Sequence, residues 1–296
     1  MFLLSNNSSI LLLIKAGLKK SQPLLFSSNR PATLPNIVLS ETNINIDFDA
    51  LNGFHRLTSW PRLHGEVIHP CYPHLLAFNL HMQLMLHPEF PFAMLGLVHI
   101  HNQITQVKPI LATDSLDLSC RFGDVKRHRK GWVFDIETEV MSGGEKVWSS
   151  VSTNLFKVKL PEERDADTNS QEGEKSSLQP VHQESWVLGA ELGRQYARIS
   201  KDYNLIHLHP LAAKLFGFKR HIAHGMWTKA QCLSALVDQG TRSFECQVAF
   251  KKPIFLANNV RFSSASEQLQ TDFSVTDLSQ SICHLKGIYS KRQNSD

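Results

Sequence analysis

The stretch that decides the fold and the chemistry is Tyr196-Ala197-Arg198-Ile199-Ser200-Lys201-Asp202-Tyr203-Asn204-Leu205-Ile206-His207-Leu208-His209-Pro210. It continues as Leu211-Ala212-Ala213-Lys214-Leu215-Phe216-Gly217-Phe218 and closes with Ile222-Ala223-His224-Gly225-Met226. Ser200 to Asn204 are turn formers, because short polar side chains bond their own backbone. Pro210 suits the first position of a short helix and Gly217 suits its end. His207 is therefore expected in the loop just before that helix, with Asp202 five residues upstream across the turn. A carboxylate and an imidazole that converge can move protons at neutral pH.

His224-Gly225 opens an apolar run through Val237, in which Met226, Ala230, Leu233 and Val237 share one face at helical spacing. The first amides of a helix have no internal acceptor. Gly225 has no side chain to keep a ligand from its N–H, so that amide can hold a carbonyl oxygen as negative charge develops on it. An Asp and a His five apart are common in isolation; the assembled stretch is what makes the pair a candidate.

Outward from this segment, the chain looks duplicated. The first half has its own apolar helical run, Pro73 to Leu86, apolar on most sides as a helix wrapped by a sheet must be. Strand-like segments follow at Gly96–Ile104, Ser115–Phe122, Trp132–Val140 and Val147–Val158. The second half offers Phe244–Phe250, Asn259–Ser263, Gln270–Thr276 and Ile282–Tyr289. Lys108-Pro109-Ile110 and Lys252-Pro253-Ile254 stand at matching places, which supports an internal repeat. One buried helix per half with antiparallel strands indicates an α+β fold. Between the halves, Pro161 to Ser177 is charged, rich in Ser and Asn, and nearly devoid of apolar residues. Such a stretch cannot offset the entropy of ordering it and is expected to be a linker. The expected organisation is an N-terminal arm over 1–35, a first unit over 36–160, a linker over 161–180 and a second unit over 181–296.

Composition narrows the classes. Hydrophobic residues make up 42% and charged residues 20%, ordinary globular values. A formal net charge of +4 is too small to argue for nucleic acid but suits an anionic ligand arm. The five cysteines, Cys71, Cys120, Cys232, Cys246 and Cys283, form no CxxC, which argues against zinc or a disulfide framework and for a reducing, cytoplasmic setting. The Ile10–Ile14 run is too short to span a bilayer and its lysines follow it, unlike a signal peptide, so an amphipathic arm is expected.

Asp202-x-Asn204-x-x-His207-x-x-Pro210, Gly217-Phe218 and His224-Gly225-Met226 together resemble the signature of MaoC-like hydratases and dehydratases, densely from Tyr196 to Leu236. Tyr72–Phe78 and Phe90–His99 are similar, more loosely, to the N-terminal repeat of two-domain members. The resemblance implies a double hot-dog, two antiparallel sheets each wrapped around a long helix, with the catalytic pair kept only in the C-terminal half. It implies reversible dehydration of (R)-3-hydroxyacyl thioesters to trans-2-enoyl thioesters by Asp202 and His207. Asn204 would fix Asp202 or a water, and the Gly225 amide would polarise the thioester carbonyl. No metal or redox cofactor is implied, since the thioester is the electron sink; coenzyme A or an acyl carrier protein would carry the acyl group. A homodimer is one assembly the resemblance allows. The sequence departs from the family at Lys201, usually Gly, and Leu205, usually Pro, positions that shape the turn. The rival readings are a hot-dog thioesterase and a non-catalytic acyl-thioester binding subunit.

Other residues have plainer readings. His224 is expected to order the loop rather than move protons. Asp49, Asn52 and His55 echo the motif with the wrong spacing. His99 and His101 share a strand face on period-2 alternation but lack a third metal ligand. Lys126-Arg127-His128-Arg129-Lys130 is expected as an exposed loop, either solvated or touching coenzyme A phosphates or an acidic carrier protein.

Overall fold

The computed structural model describes residues 19–21, 33–94, 96–160 and 182–292. The expected linker over 161–180, and most of the 1–35 arm including the Ile10–Ile14 run, lie outside these residues.

The first half runs β1 (Val38–Ile44), α1 (Phe48–Leu57), α2 (Tyr72–Leu76), α3 (Phe78–Leu86), β2 (Leu97–Gln106), β3 (Leu116–His128), β4 (Gly131–Ser142) and β5 (Glu145–Lys157). The second half runs β6 (His182–Leu188), α4 (Leu192–Ser200), α5 (Leu205–Leu208), α6 (Pro210–Leu215), α7 (Gly225–Leu236), β7 (Phe244–Phe250), β8 (Asn258–Glu267), β9 (Gln270–Asp277) and β10 (Cys283–Lys291). All eight strands read from the sequence are present. β1, α1, β6 and α4 went unread; β1 and β6 expose most of their side chains and offer little hydrophobic pattern.

The strands form one antiparallel sheet of ten in the order β1-β3-β4-β5-β2-β7-β10-β9-β8-β6. This corrects the expectation of two separate sheets. The inner edges of the halves, β2 and β7, pair from His101↔Ala249 to Gln106↔Phe244, so the ladder passes unbroken from one half into the other. Strand order on one side of this seam mirrors that on the other, as a duplication requires. Trp132, Phe134, Ile136 and Val140 on β4, and Val260 and Phe262 on β8, point inward at every second position and build the core.

Two helical runs lie against this sheet. α7 buries Met226, Trp227, Thr228, Lys229, Ala230, Cys232, Leu233 and Ser234, residues from every side of the helix. The first-half run is not one helix. It breaks at Ala77 into α2 and α3, with ψ of −9° at that residue. At the far end of α3, Lys19 of the arm donates to the carbonyls of Met85 (2.9 Å) and His87 (2.6 Å), which the helix itself leaves unpaired. No described helix is long and apolar enough to cross a membrane.

Two smaller expectations also change. His99 and His101 do not share a regular strand face, because the β2–β5 register shifts between them. The basic run is mostly strand: Lys126 to His128 end β3, and only Arg129 and Lys130 form the turn before β4.

Candidate active site

α4 ends at Ser200, and Lys201 takes the left-handed conformation that stops it (φ 62°, ψ 9°). The chain then folds as the sequence suggests. The Asp202 N–H donates to Ser200 Oγ (3.2 Å), and Asp202 Oδ1 accepts from the Asn204 N–H (3.1 Å). This Asx turn fixes the carboxylate against its own backbone. Asn204 thus holds Asp202 through its main chain, not its amide. Its side chain caps α5 instead, accepting from the Ile206 N–H at 3.4 Å.

His207 sits in the single turn α5, not in the loop expected before α6. Its side chain is buried, and its Nδ1 lies 2.8 Å from the Ile222 carbonyl. A carbonyl can only accept, so Nδ1 carries the proton and Nε2 keeps its lone pair. Two residues absent from the sequence reading support this turn. A side chain at Gly193 would strike the His207 carbonyl, so only glycine lets α4 lie so close to α5. Arg194 closes the end of α5 by donating to the Leu208 carbonyl at 2.6 Å. A glycine in an amphipathic helix is the available signal, and it gains meaning only once α4 is placed against α5.

His224 completes the constellation. Donor or acceptor atoms of Asp202, His207 and His224 all lie within 4.8 Å of one another. The two imidazoles stack at a centroid distance of 3.6 Å and an interplanar angle of 24°, with Tyr196 on His224 at 4.7 Å. His224 Nε2 is 3.1 Å from the Asp202 carbonyl and 3.8 Å from Asp202 Oδ2. These contacts fit the expected loop-ordering role. Three such groups at this spacing could in principle ligate a metal.

Burial lowers the pKa of His207, against the opposing pull of Asp202 and the Ile222 carbonyl. Burial, and then His207, lower that of His224 much further. Both rings are neutral at pH 7, the state a proton acceptor needs. His207 and His224 are 8% and 3% exposed, whereas the Asp202 side chain is 28% exposed, so the group opens to solvent on the Asp202 side. Gly225 follows His224 as the first residue of α7. A side chain there would come within 3.0 Å of the Phe250 ring. An open depression of about 680 Å³ between Val187–Gly189 and Asp277–Ser279 is lined by none of these residues.

Residues 175–280, which contain this whole constellation, match the MaoC like domain. The chain is also 30% identical to 3-hydroxyacyl-thioester dehydratase X of Mycobacterium tuberculosis over 256 residues, 86% of this chain and 90% of that protein. The chain belongs to the MaoC-like dehydratase family. The crystal structure of the same mycobacterial protein superposes with a TM-score of 0.74 at 27% identity, covering 86% of this chain and all of that one. A MaoC-like dehydratase from Phytophthora capsici shares the fold at a TM-score of 0.70 and 18% identity, over 90% of this chain and 98% of that one. This MaoC-like chain is therefore an α+β protein of a hydro-lyase family.

Proposed function

We propose that the chain interconverts (R)-3-hydroxyacyl and trans-2-enoyl thioesters by removing and adding water, with Asp202 and His207 as the catalytic pair. The mycobacterial relative is a 3-hydroxyacyl-thioester dehydratase, and the observation that carries the reading is the meeting of Asp202 and a neutral His207 within 4.8 Å. In dehydration the pair takes the C2 proton and returns a proton to the C3 hydroxyl, which leaves as water. In hydration it activates a water for attack at C3 and delivers the proton to C2. His207 Nε2 is the ring atom free for this work, since Nδ1 is committed to Ile222. The Gly225 amide, first in α7, holds the thioester oxygen and so acidifies C2. The thioester itself accepts the electron pair, and the chemistry calls for no metal or redox cofactor.

The mirrored strand order supports a double hot-dog, with a first unit over 36–160 that shapes the acyl tunnel and a catalytic second unit over 181–296. The five free thiols, four of them buried, favour a reducing compartment such as the cytoplasm.

The test is turnover of a trans-2-enoyl thioester by the wild type, Asp202→Asn and His207→Ala. A loss of at least a thousandfold in either variant is expected, and activity within tenfold of wild type defeats the assignment. Loss of the enoyl absorbance without release of free thiol separates hydration from thioester hydrolysis. Tight binding of the thioester with no turnover at any chain length would instead mark a binding subunit.

A further inference from the structure

The turn between β3 and β4 gathers more positive charge than the sequence run alone suggests. Lys126, Arg127, Arg129 and Lys130 come from the hairpin itself. Gly131 pairs with Lys157, and the Val158 N–H donates to the Lys130 carbonyl at 3.1 Å, which brings Lys157 and Lys159 beside them. Lys126, Arg129, Lys130, Lys157 and Lys159 are exposed. Asp124 pairs with Lys126 at 3.0 Å. Six cations therefore crowd one hairpin of a chain whose whole net charge is +4. The pKa of His128 is lowered first by partial burial and then by Arg129 and Lys130, so the local field is positive.

The register fixes where this patch lies. Phe156, next to Lys157, pairs with Leu97 at the start of β2. Farther along β2, His101 pairs with Ala249, next to Phe250, the ring that faces Gly225. The basic hairpin and the N-terminus of α7 thus occupy the same end of the sheet. Three strand spacings across and a few residues along separate the hairpin from the Phe250 position beneath that N-terminus, roughly 15–20 Å. A pantetheine arm has the reach of about five extended residues, roughly 17 Å.

We propose that this hairpin, with Lys157 and Lys159, binds the phosphates of coenzyme A while the thioester carbonyl rests at Gly225. The assignment rests on the dehydratase reading and names its carrier. The compactness of the patch, all of it around one turn, suits the clustered phosphates of a nucleotide better than the long acidic helix of a carrier protein.

The experiment replaces Arg129, Lys130, Lys157 and Lys159 by Gln together, in the full chain. KM for trans-2-decenoyl-CoA is expected to rise tenfold or more with kcat within twofold of wild type. The same acyl group on pantetheine, which lacks the phosphates, is expected to be turned over unchanged. Calorimetric titration with coenzyme A itself gives a readout that does not depend on turnover, and a tenfold weaker affinity is expected. Unchanged affinity for coenzyme A overturns the proposal even if the enzyme is active. A KM that rises equally for both esters, or only for an acyl carrier protein ester, overturns it too. Failure of the wild type on every thioester would sink the dehydratase reading instead, leaving the calorimetry to judge the patch.

Discussion

Lys229 of α7 and Asn102 of β2 meet twice, with the ammonium donating to the Asn102 carbonyl at 3.1 Å and to its Oδ1 at 2.6 Å. The third N–H goes to the Cys246 carbonyl of β7 at 2.9 Å. Three donors find three acceptors, and Lys229 is fully buried. Asn102 in turn donates to Ser152 Oγ of β5 at 3.1 Å. The lysine therefore ties α7 to both strands of the seam. Lys229→Met keeps the stem but strands those oxygens in the core, at a cost of about 3 kcal/mol in unfolding free energy. Urea denaturation measures it. Adding Asn102→Leu should cost less than the sum of the single changes, because the second change removes a group already left without its partner.

His224 can be tested by comparing two replacements. Gln places a nitrogen donor where His224 Nε2 meets the Asp202 carbonyl, whereas Phe keeps the stack on His207 but offers no donor. If His224 orders the Asp202 loop, His224→Gln retains more kcat than His224→Phe, by about tenfold, with KM little changed. A purely packing role reverses that order, since Phe fills the buried site better.

Lys201 holds a left-handed backbone conformation that costs a non-glycine residue about 1 kcal/mol. Lys201→Gly should raise stability by roughly that amount without altering activity, read as a rise in melting temperature. Leu205 is half-exposed at the first position of α5, and Asn204 before it already has ψ of 125°. That is the conformation a following proline demands, so Leu205→Pro should fold normally.

Acid should weaken the fold through its buried histidines. Burial lowers the pKa of His69 and His99 to about 3 and that of His81 to about 4. The folded chain keeps these rings neutral, while the unfolded chain protonates them below pH 6.5. Stability is thus intact above pH 6.5 and falls as pH drops toward 4, by on the order of 1.4 kcal/mol per pH unit for each ring. Denaturation curves between pH 7 and 5 should show this slope, and His81→Gln should reduce it by one proton.

The sequence was most informative where side chains and backbone act locally. The Ser200–Asn204 turn, the helix start after His224 and the alternating strands all rest on neighbours within a few residues, and each took the form expected. The stacking of His224 on His207 depends on the Ile222–Gly225 return, and the Gly193 approach depends on α4; neither leaves a trace in spacing. Lys229 was equally hidden. Within an apolar helical run a lysine looks like a solvent-facing residue, and only the seam supplies the acceptors that allow its burial. The join of the halves through β2 and β7 was invisible for the same reason, since pairing partners across it share no local pattern.

That join also orders the folding process. Gln106 meets Phe244 and His101 meets Ala249 across 138 and 148 residues of chain, so closing it costs about 4 kcal/mol in loop entropy. The meanders β3-β4-β5 and β8-β9-β10 involve only near neighbours and can zip early. The amine of Lys229 gains its full set of oxygens only when the distant strands meet. Any opening of the join therefore strips the buried ammonium of its oxygens, so the two halves part only at the cost of exposing or stranding that charge.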